Sequence, residues 1–67
     1  MEISARNQLK AKVRSIKLGD VMAEVVLEIA GQEIVSVITR ASAEHLGIAV
    51  GDDVVAIVKS TEVMIGK

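Results

Sequence analysis

Apolar and polar residues alternate from Asn7 onward. Leu9, Ala11 and Val13 interleave with Lys10, Lys12 and Arg14, the period-two pattern of a strand with one face inward and one in water. The alternation predicts a first strand over 7–18. Its phase slips near Ser15-Ile16, which predicts a bulge or bend. Gly19-Asp20 reads as a tight hairpin turn, with Gly19 supplying positive φ. A second strand over 21–30 sets Val21, Ala23, Val25, Leu27 and Ile29 on one face and Met22, Glu24, Val26 and Glu28 on the other. Gly31-Gln32 is a weaker turn signal. A third strand over 33–39 has Ile34 and Ile38 on one face, Val35 and Val37 on the other. Apolar groups on both faces fit a strand covered twice, once by the core and once by a neighbouring subunit.

The character changes at Thr39-Arg40-Ala41-Ser42-Ala43-Glu44-His45-Leu46-Gly47. Ala, Glu and Leu favour helix, Thr39 or Ser42 can cap its start, and Gly47 suits the position just past its end. The helix has at most two turns. Val50-Gly51-Asp52-Asp53 is a turn into a fourth strand over 54–59, Ser60-Thr61 breaks it, and 62–66 reads as a short fifth strand. Three strands, a short helix and two strands are the element order of an oligonucleotide/oligosaccharide-binding-type barrel. The expected fold is therefore mainly β: a small five-stranded OB-like barrel with one short helix between strands 3 and 4, a single domain over 1–67.

Composition narrows the chemistry. The chain has 67 residues and is 51% apolar, with 11 Val and 8 Ile, and no Cys, Pro, Trp, Tyr or Phe. No disulfide or thiolate chemistry is open to it, and the single His45 cannot build a zinc site alone. A domain of this size buries only about 60% of its unfolded surface, so association of identical subunits is the expected source of further stability. No run of 18 apolar residues is present and the N-terminus lacks a secretory pattern, so a cytoplasmic location is expected and no membrane partner.

Net charge is −1, from 8 basic and 9 acidic groups. Residues 1–17 hold five basic groups against Glu2 alone; residues 18–67 hold three against eight acidic. Lys10, Lys12 and Arg14 are read as a solvated strand face. Single-strand binding in small barrels relies on aromatic stacking and a clustered basic surface. This chain has no aromatic residue, so nucleic acid is not expected as a partner. Catalysis is also poorly supported. Ser42, His45 and Asp52 or Asp53 exist in composition without a nucleophile-elbow context, and the adjacent aspartates read as a solvated turn. The expectation is no enzyme activity and no catalytic residue.

What remains are short polar runs at element ends: Ser4-Ala5-Arg6-Asn7 before the first strand, Thr39 and Ser42 at the helix start, and Lys59-Ser60-Thr61 after the fourth strand. All are rich in hydrogen-bond donors and none contains a carboxylate. Taken singly, each reads as a cap or a turn. If they converge, they form a pocket for a small oxyanion.

The runs Ile3-Ser4-Ala5-Arg6-Asn7-Gln8-Leu9-Lys10, Ala23-Glu24-Val25-Val26-Leu27-Glu28-Ile29-Ala30-Gly31 and Val58-Lys59-Ser60-Thr61-Glu62-Val63-Met64-Ile65 resemble the molbindin family. These are the small molybdenum-pterin-binding proteins of bacteria, whose module also occurs in molybdate-responsive regulators and molybdate-transporter ATPases. The resemblance covers essentially the whole chain. It implies a homo-hexamer, a trimer of dimers, that binds molybdate or tungstate between subunits. It implies an oxyanion site drawn from Ser4, Arg6, Lys59 and Ser60, with Ala5 counted between the first two, and from Thr39 and Ser42 at the helix start. The metal is then held as its oxyanion, not by direct side-chain coordination.

Physical chemistry agrees. Molybdate at neutral pH is a fully deprotonated dianion and only accepts hydrogen bonds, so donors alone suit it. Phosphate keeps a proton and wants an acceptor; sulfate is smaller. A pterin ring wants an aromatic stacking partner, so no organic cofactor is favoured. The expected function is binding, storage and buffering of molybdate. The alternatives are an oxyanion-responsive sensory or assembly module contacting another protein and, third, a nucleic-acid-binding barrel.

Overall fold

The computed structural model describes residues 6–67. The elements are β1 (Asn7–Leu18), β2 (Met22–Ile29), β3 (Gln32–Thr39), α1 (Arg40–Leu46), β4 (Asp53–Val58) and a single 3₁₀ turn, Ser60–Glu62. The four strands form one antiparallel sheet in the order β3-β2-β1-β4. β1 is the long central strand. Its first half pairs with β4, from Asn7 opposite Val58 to Lys12 opposite Asp53. Its second half pairs with β2, ending with Leu18 opposite Ala23. The register slips between Val13 and Ser15, where the alternation of the sequence breaks.

The core is small and aliphatic. Ala11, Val13, Val25, Leu27 and Ala56 are buried together, with Ile16, Ile29, Ile34, Ile38, Ile48 and Val54 packed around them. Among the described residues no polar side chain is buried. Lys10, Lys12 and Arg14 point outward, as the alternation predicts. Lys12 meets Asp53 at 3.5 Å and Arg14 meets Glu28 at 3.1 Å. Among the described residues no helix is long and apolar enough to cross a membrane.

Four expectations are corrected. First, among the described residues the sheet has four strands and not five. Residues 63–67 carry no regular structure, and β3 and β4 do not pair, so the sheet is not closed into a barrel. A strand exists only with a neighbour to bond, and among the described residues this segment has none. Second, Gly19 does not supply positive φ. Positive φ falls at Ala30, Gly31, Gly47 and Gly51. What Gly19 provides is close approach: its N–H donates to the Met22 carbonyl at 2.8 Å, and a Cβ at Gly19 would stand 3.0 Å from that oxygen. Third, Val21 belongs to this turn and lies outside β2, 71% exposed. Fourth, the second hairpin turns through Ala30-Gly31, one residue earlier than Gly31-Gln32. Both of these residues have positive φ (50° and 80°), the type I′ pattern whose twist matches the flanking strands.

The helix start and stop follow the sequence. Thr39 is the N-cap, its Oγ1 accepting the Ser42 N–H at 3.0 Å. Gly47 closes the helix in the left-handed region, its N–H donating to the Ala43 and Glu44 carbonyls. Asp52 is a turn residue: its carboxylate accepts the Ala49 N–H at 2.9 Å, and its carbonyl accepts the Val13 N–H.

Candidate functional site

Of the seven residues singled out in the sequence, Ser4 and Ala5 lie outside the described residues. The other five fall in two groups. Arg6 immediately precedes β1, and Lys59 immediately follows β4. Because Asn7 sits opposite Val58, the antiparallel ladder brings Arg6 and Lys59 to the same end of the sheet. Ser60 begins the 3₁₀ turn that Lys59 caps. All three are exposed. Among the described residues neither Arg6 nor Lys59 takes part in an ion pair; those present are Lys12–Asp53, Arg14–Glu28 and Arg40–Glu44. Glu62 closes the 3₁₀ turn and its carboxylate does not pair with Lys59. Among the described residues this end therefore presents two cations without a carboxylate partner and a hydroxyl, a set that attracts an anion.

The second group is built on the first turn of α1. Thr39 Oγ1 accepts the Ser42 N–H and gives its own proton to Ser42 Oγ at 2.7 Å. That bond fills an acceptor position on Ser42 Oγ and leaves the Ser42 hydroxyl proton free to donate outward. The turn is anchored on the first hairpin: the Arg40 N–H donates to the Val21 carbonyl at 2.7 Å, and Arg40 Nη1 donates to the Gly19 carbonyl at 3.3 Å.

Arg40 is the cation that the sequence reading left out of this set. Its Nε donates to Glu44 Oε1 at 2.7 Å, so its charge is balanced within the helix. The signal was present as an Arg–Glu spacing of four residues on one helical face. His45 is exposed in the last turn of the same helix.

The register sets the two groups apart. Thr39 pairs with Met22 at the end of β2 that lies beside Leu18, whereas Lys59 follows the strand end that lies beside Asn7. They stand at opposite ends of the 12-residue β1. At roughly 3.3 Å of rise per residue the strand path between those ends is about 35 Å. The sequence supplied both donor sets, and the fold does not bring them together around one point of one chain. Among the described residues no three His, Asp or Glu side chains gather as they would around a bare metal ion.

Comparison with known proteins adds an independent line. The model of the TOBE domain matches residues 3–65. Molybdenum-pterin-binding protein 2 of Clostridium pasteurianum is 59% identical over 66 residues, covering 97% of each chain. Among solved structures, a molybdate-binding protein from Sporomusa ovata superposes with a TM-score of 0.94 at 45% identity over 100% of both chains. ModG, a cytoplasmic molybdate-binding protein solved with molybdate bound, superposes at 0.83 and 44% identity, over 90% of this chain and 43% of its own.

Proposed function

The chain belongs to the TOBE-domain family that includes the molybdenum-pterin-binding proteins, and from that premise we propose that it binds molybdate, and tungstate with it, as a storage and buffering protein of the cytoplasm. It is a binding protein and not an enzyme. The observation that carries this reading is that Arg6 and Lys59, beside Ser60, flank the Asn7–Val58 pair at one end of the sheet, with no carboxylate paired to either among the described residues. A tetrahedral dianion that cannot donate a proton is the ligand such a set suits. A charge-assisted bond contributes about 1.5–3 kcal/mol and a neutral hydroxyl about half as much. One or two cations with several hydroxyls and amides reach about 8 kcal/mol, micromolar affinity.

The site uses Ser4, Ala5, Arg6, Lys59 and Ser60 as one donor set, and Thr39 and Ser42 as another. Because β1 holds these sets apart, the two sides of the pocket come from different copies. The working form is a homo-hexamer, a trimer of dimers, in which the oxyanion lies between subunits. Isothermal titration with molybdate, tungstate, sulfate and phosphate tests the reading. Micromolar binding of the first two and much weaker binding of the others is the expected result. Equal affinity for sulfate, or none for molybdate, overturns it.

A further inference from the structure

The seven residues of α1 include a single buried one, Ala43. Apolar packing therefore holds the helix to the sheet only weakly, and a helix this short does not persist by itself. Arg40 is what ties its first turn down. The Arg40 backbone N–H donates to the Val21 carbonyl at 2.7 Å. The guanidinium reaches in two directions. Nε donates to Glu44 Oε1 at 2.7 Å, one turn along the helix, and Nη1 donates to the Gly19 carbonyl at 3.3 Å, across to the β1–β2 turn. That turn is itself closed, since the Gly19 N–H donates to the Met22 carbonyl at 2.8 Å. A guanidinium offers its donors in a rigid planar fork, so the two bonds fix the helix against the hairpin in one geometry.

Thr39 Oγ1 accepts the Ser42 N–H and gives its own proton to Ser42 Oγ. The proton this turn presents outward is then that of the Ser42 hydroxyl, and its direction depends on how the turn sits over the sheet. We propose that Arg40 is a positioning residue of the oxyanion pocket. Through Glu44 and the Gly19 carbonyl it holds the first turn of α1 so that the Ser42 hydroxyl meets the ion. The inference deepens the molybdate reading and rests on it, since it takes Ser42 as a donor to that ion. Two observations make Arg40 act through Ser42 and not by its own charge. Its guanidinium is paired with the Glu44 carboxylate. And residues two positions apart on a helix lie about 200° apart around its axis, so the guanidinium, bonded to Glu44 on its own face, is turned away from Ser42.

Calorimetric titration with molybdate of Arg40→Ala, Glu44→Ala, Ser42→Ala and the double variant Arg40→Ala with Ser42→Ala tests the proposal. Each single variant is expected to weaken binding roughly threefold to tenfold, the range of one neutral hydrogen bond. Glu44→Ala decides between position and charge. It uncovers the Arg40 cation, so a direct electrostatic role would tighten binding, and tighter or unchanged binding overturns the proposal. The double variant is expected to bind no more weakly than Ser42→Ala alone, because without the hydroxyl there is nothing left to position. Losses that multiply would show Arg40 acting elsewhere and overturn it. A further arm needs no ligand. In the free protein the Ser42 amide should exchange with water severalfold faster in Arg40→Ala and Glu44→Ala than in the unaltered chain, and equal rates overturn the clamp. Failure of the unaltered protein to bind molybdate removes the functional reading and the pocket with it, while faster exchange in the variants still establishes that Arg40 holds the turn.

Discussion

Lys59 and Thr39 show how two residues of the proposed site separate into different physical roles. Lys59 caps the 3₁₀ turn without a side-chain hydrogen bond and pairs with no carboxylate among the described residues. Its ammonium holds none of the described fold in place. Lys59→Ala should therefore leave the denaturation midpoint of the isolated fold close to that of the unaltered protein and weaken molybdate binding roughly tenfold or more, the cost of one charge-assisted bond. Thr39 is different, because its hydroxyl caps α1 through the Ser42 N–H. Thr39→Ala should lower stability by about 1 kcal/mol and weaken binding as well, while Thr39→Ser retains both. Calorimetric titration beside urea denaturation separates the cases. A Lys59→Ala protein that binds as tightly as the parent would remove Lys59 from the site. The donor character of both residues was legible in the sequence, because short hydroxyls and a lysine at element ends announce it. Their distance from each other was not. It is set by the pairing of Asn7 with Val58 and of Met22 with Thr39, and pairing partners far apart in the chain leave no local mark.

At the scale of the element, the strands that alternate cleanly were legible almost to the residue. β1 spans Asn7–Leu18, its slip falls between Val13 and Ser15, and α1 begins at a Thr cap and ends at Gly47. These features are local: a period, a capping hydroxyl, a glycine in the left-handed region. The fifth strand failed because being a strand is not a local property. Glu62-Val63-Met64-Ile65-Gly66 has strand-like composition and no strand partner among the described residues. The hairpin turns were placed well and explained less well, since a turn's dihedral angles depend on the strands it joins. The β2–β3 turn yields an element-scale prediction. Ala30 has φ 50°, a region that costs an L-residue roughly 1–2 kcal/mol, while glycine reaches it freely and loses roughly 0.5–1 kcal/mol of chain entropy instead. Ala30→Gly should therefore stabilise the fold by about 0.5–1 kcal/mol, seen as a higher urea midpoint with an unchanged slope. A lower midpoint would show that Ala30 is not strained in the folded protein.

For the whole molecule, the fold and the proposed ligand are connected through stability. Among the described residues seven apolar residues are buried, four of them alanine: Ala11, Val13, Val25, Leu27 and Ala56 cluster together, and Ala23 and Ala43 are buried without joining that cluster. A sheet with two open edges, a cleft between them and an exposed apolar segment is weakly held as a single chain, so what joins copies should contribute much of its resistance to heat. A ligand bound only by the folded state stabilises it by RT ln(1 + [L]/Kd), about 2.7 kcal/mol at a concentration one hundred times Kd. In a domain of this size each kcal/mol moves Tm by roughly 4–8 °C. Molybdate at that concentration should therefore raise Tm by about 10–20 °C. Sulfate at the same concentration should raise it far less, because a pocket sized for the larger tetrahedral ion leaves a smaller one short of its donors. A second dependence follows from the proposal that the pocket lies between copies. Unfolding then dissociates the assembly, so Tm should also climb as protein concentration rises, with or without ligand. The two dependences fail separately. Equal shifts with sulfate and molybdate would remove size selection and leave binding intact. A Tm independent of protein concentration would detach the pocket from the contact between copies, and the separation of the two donor sets along β1 would then mean that only one of them holds the ion.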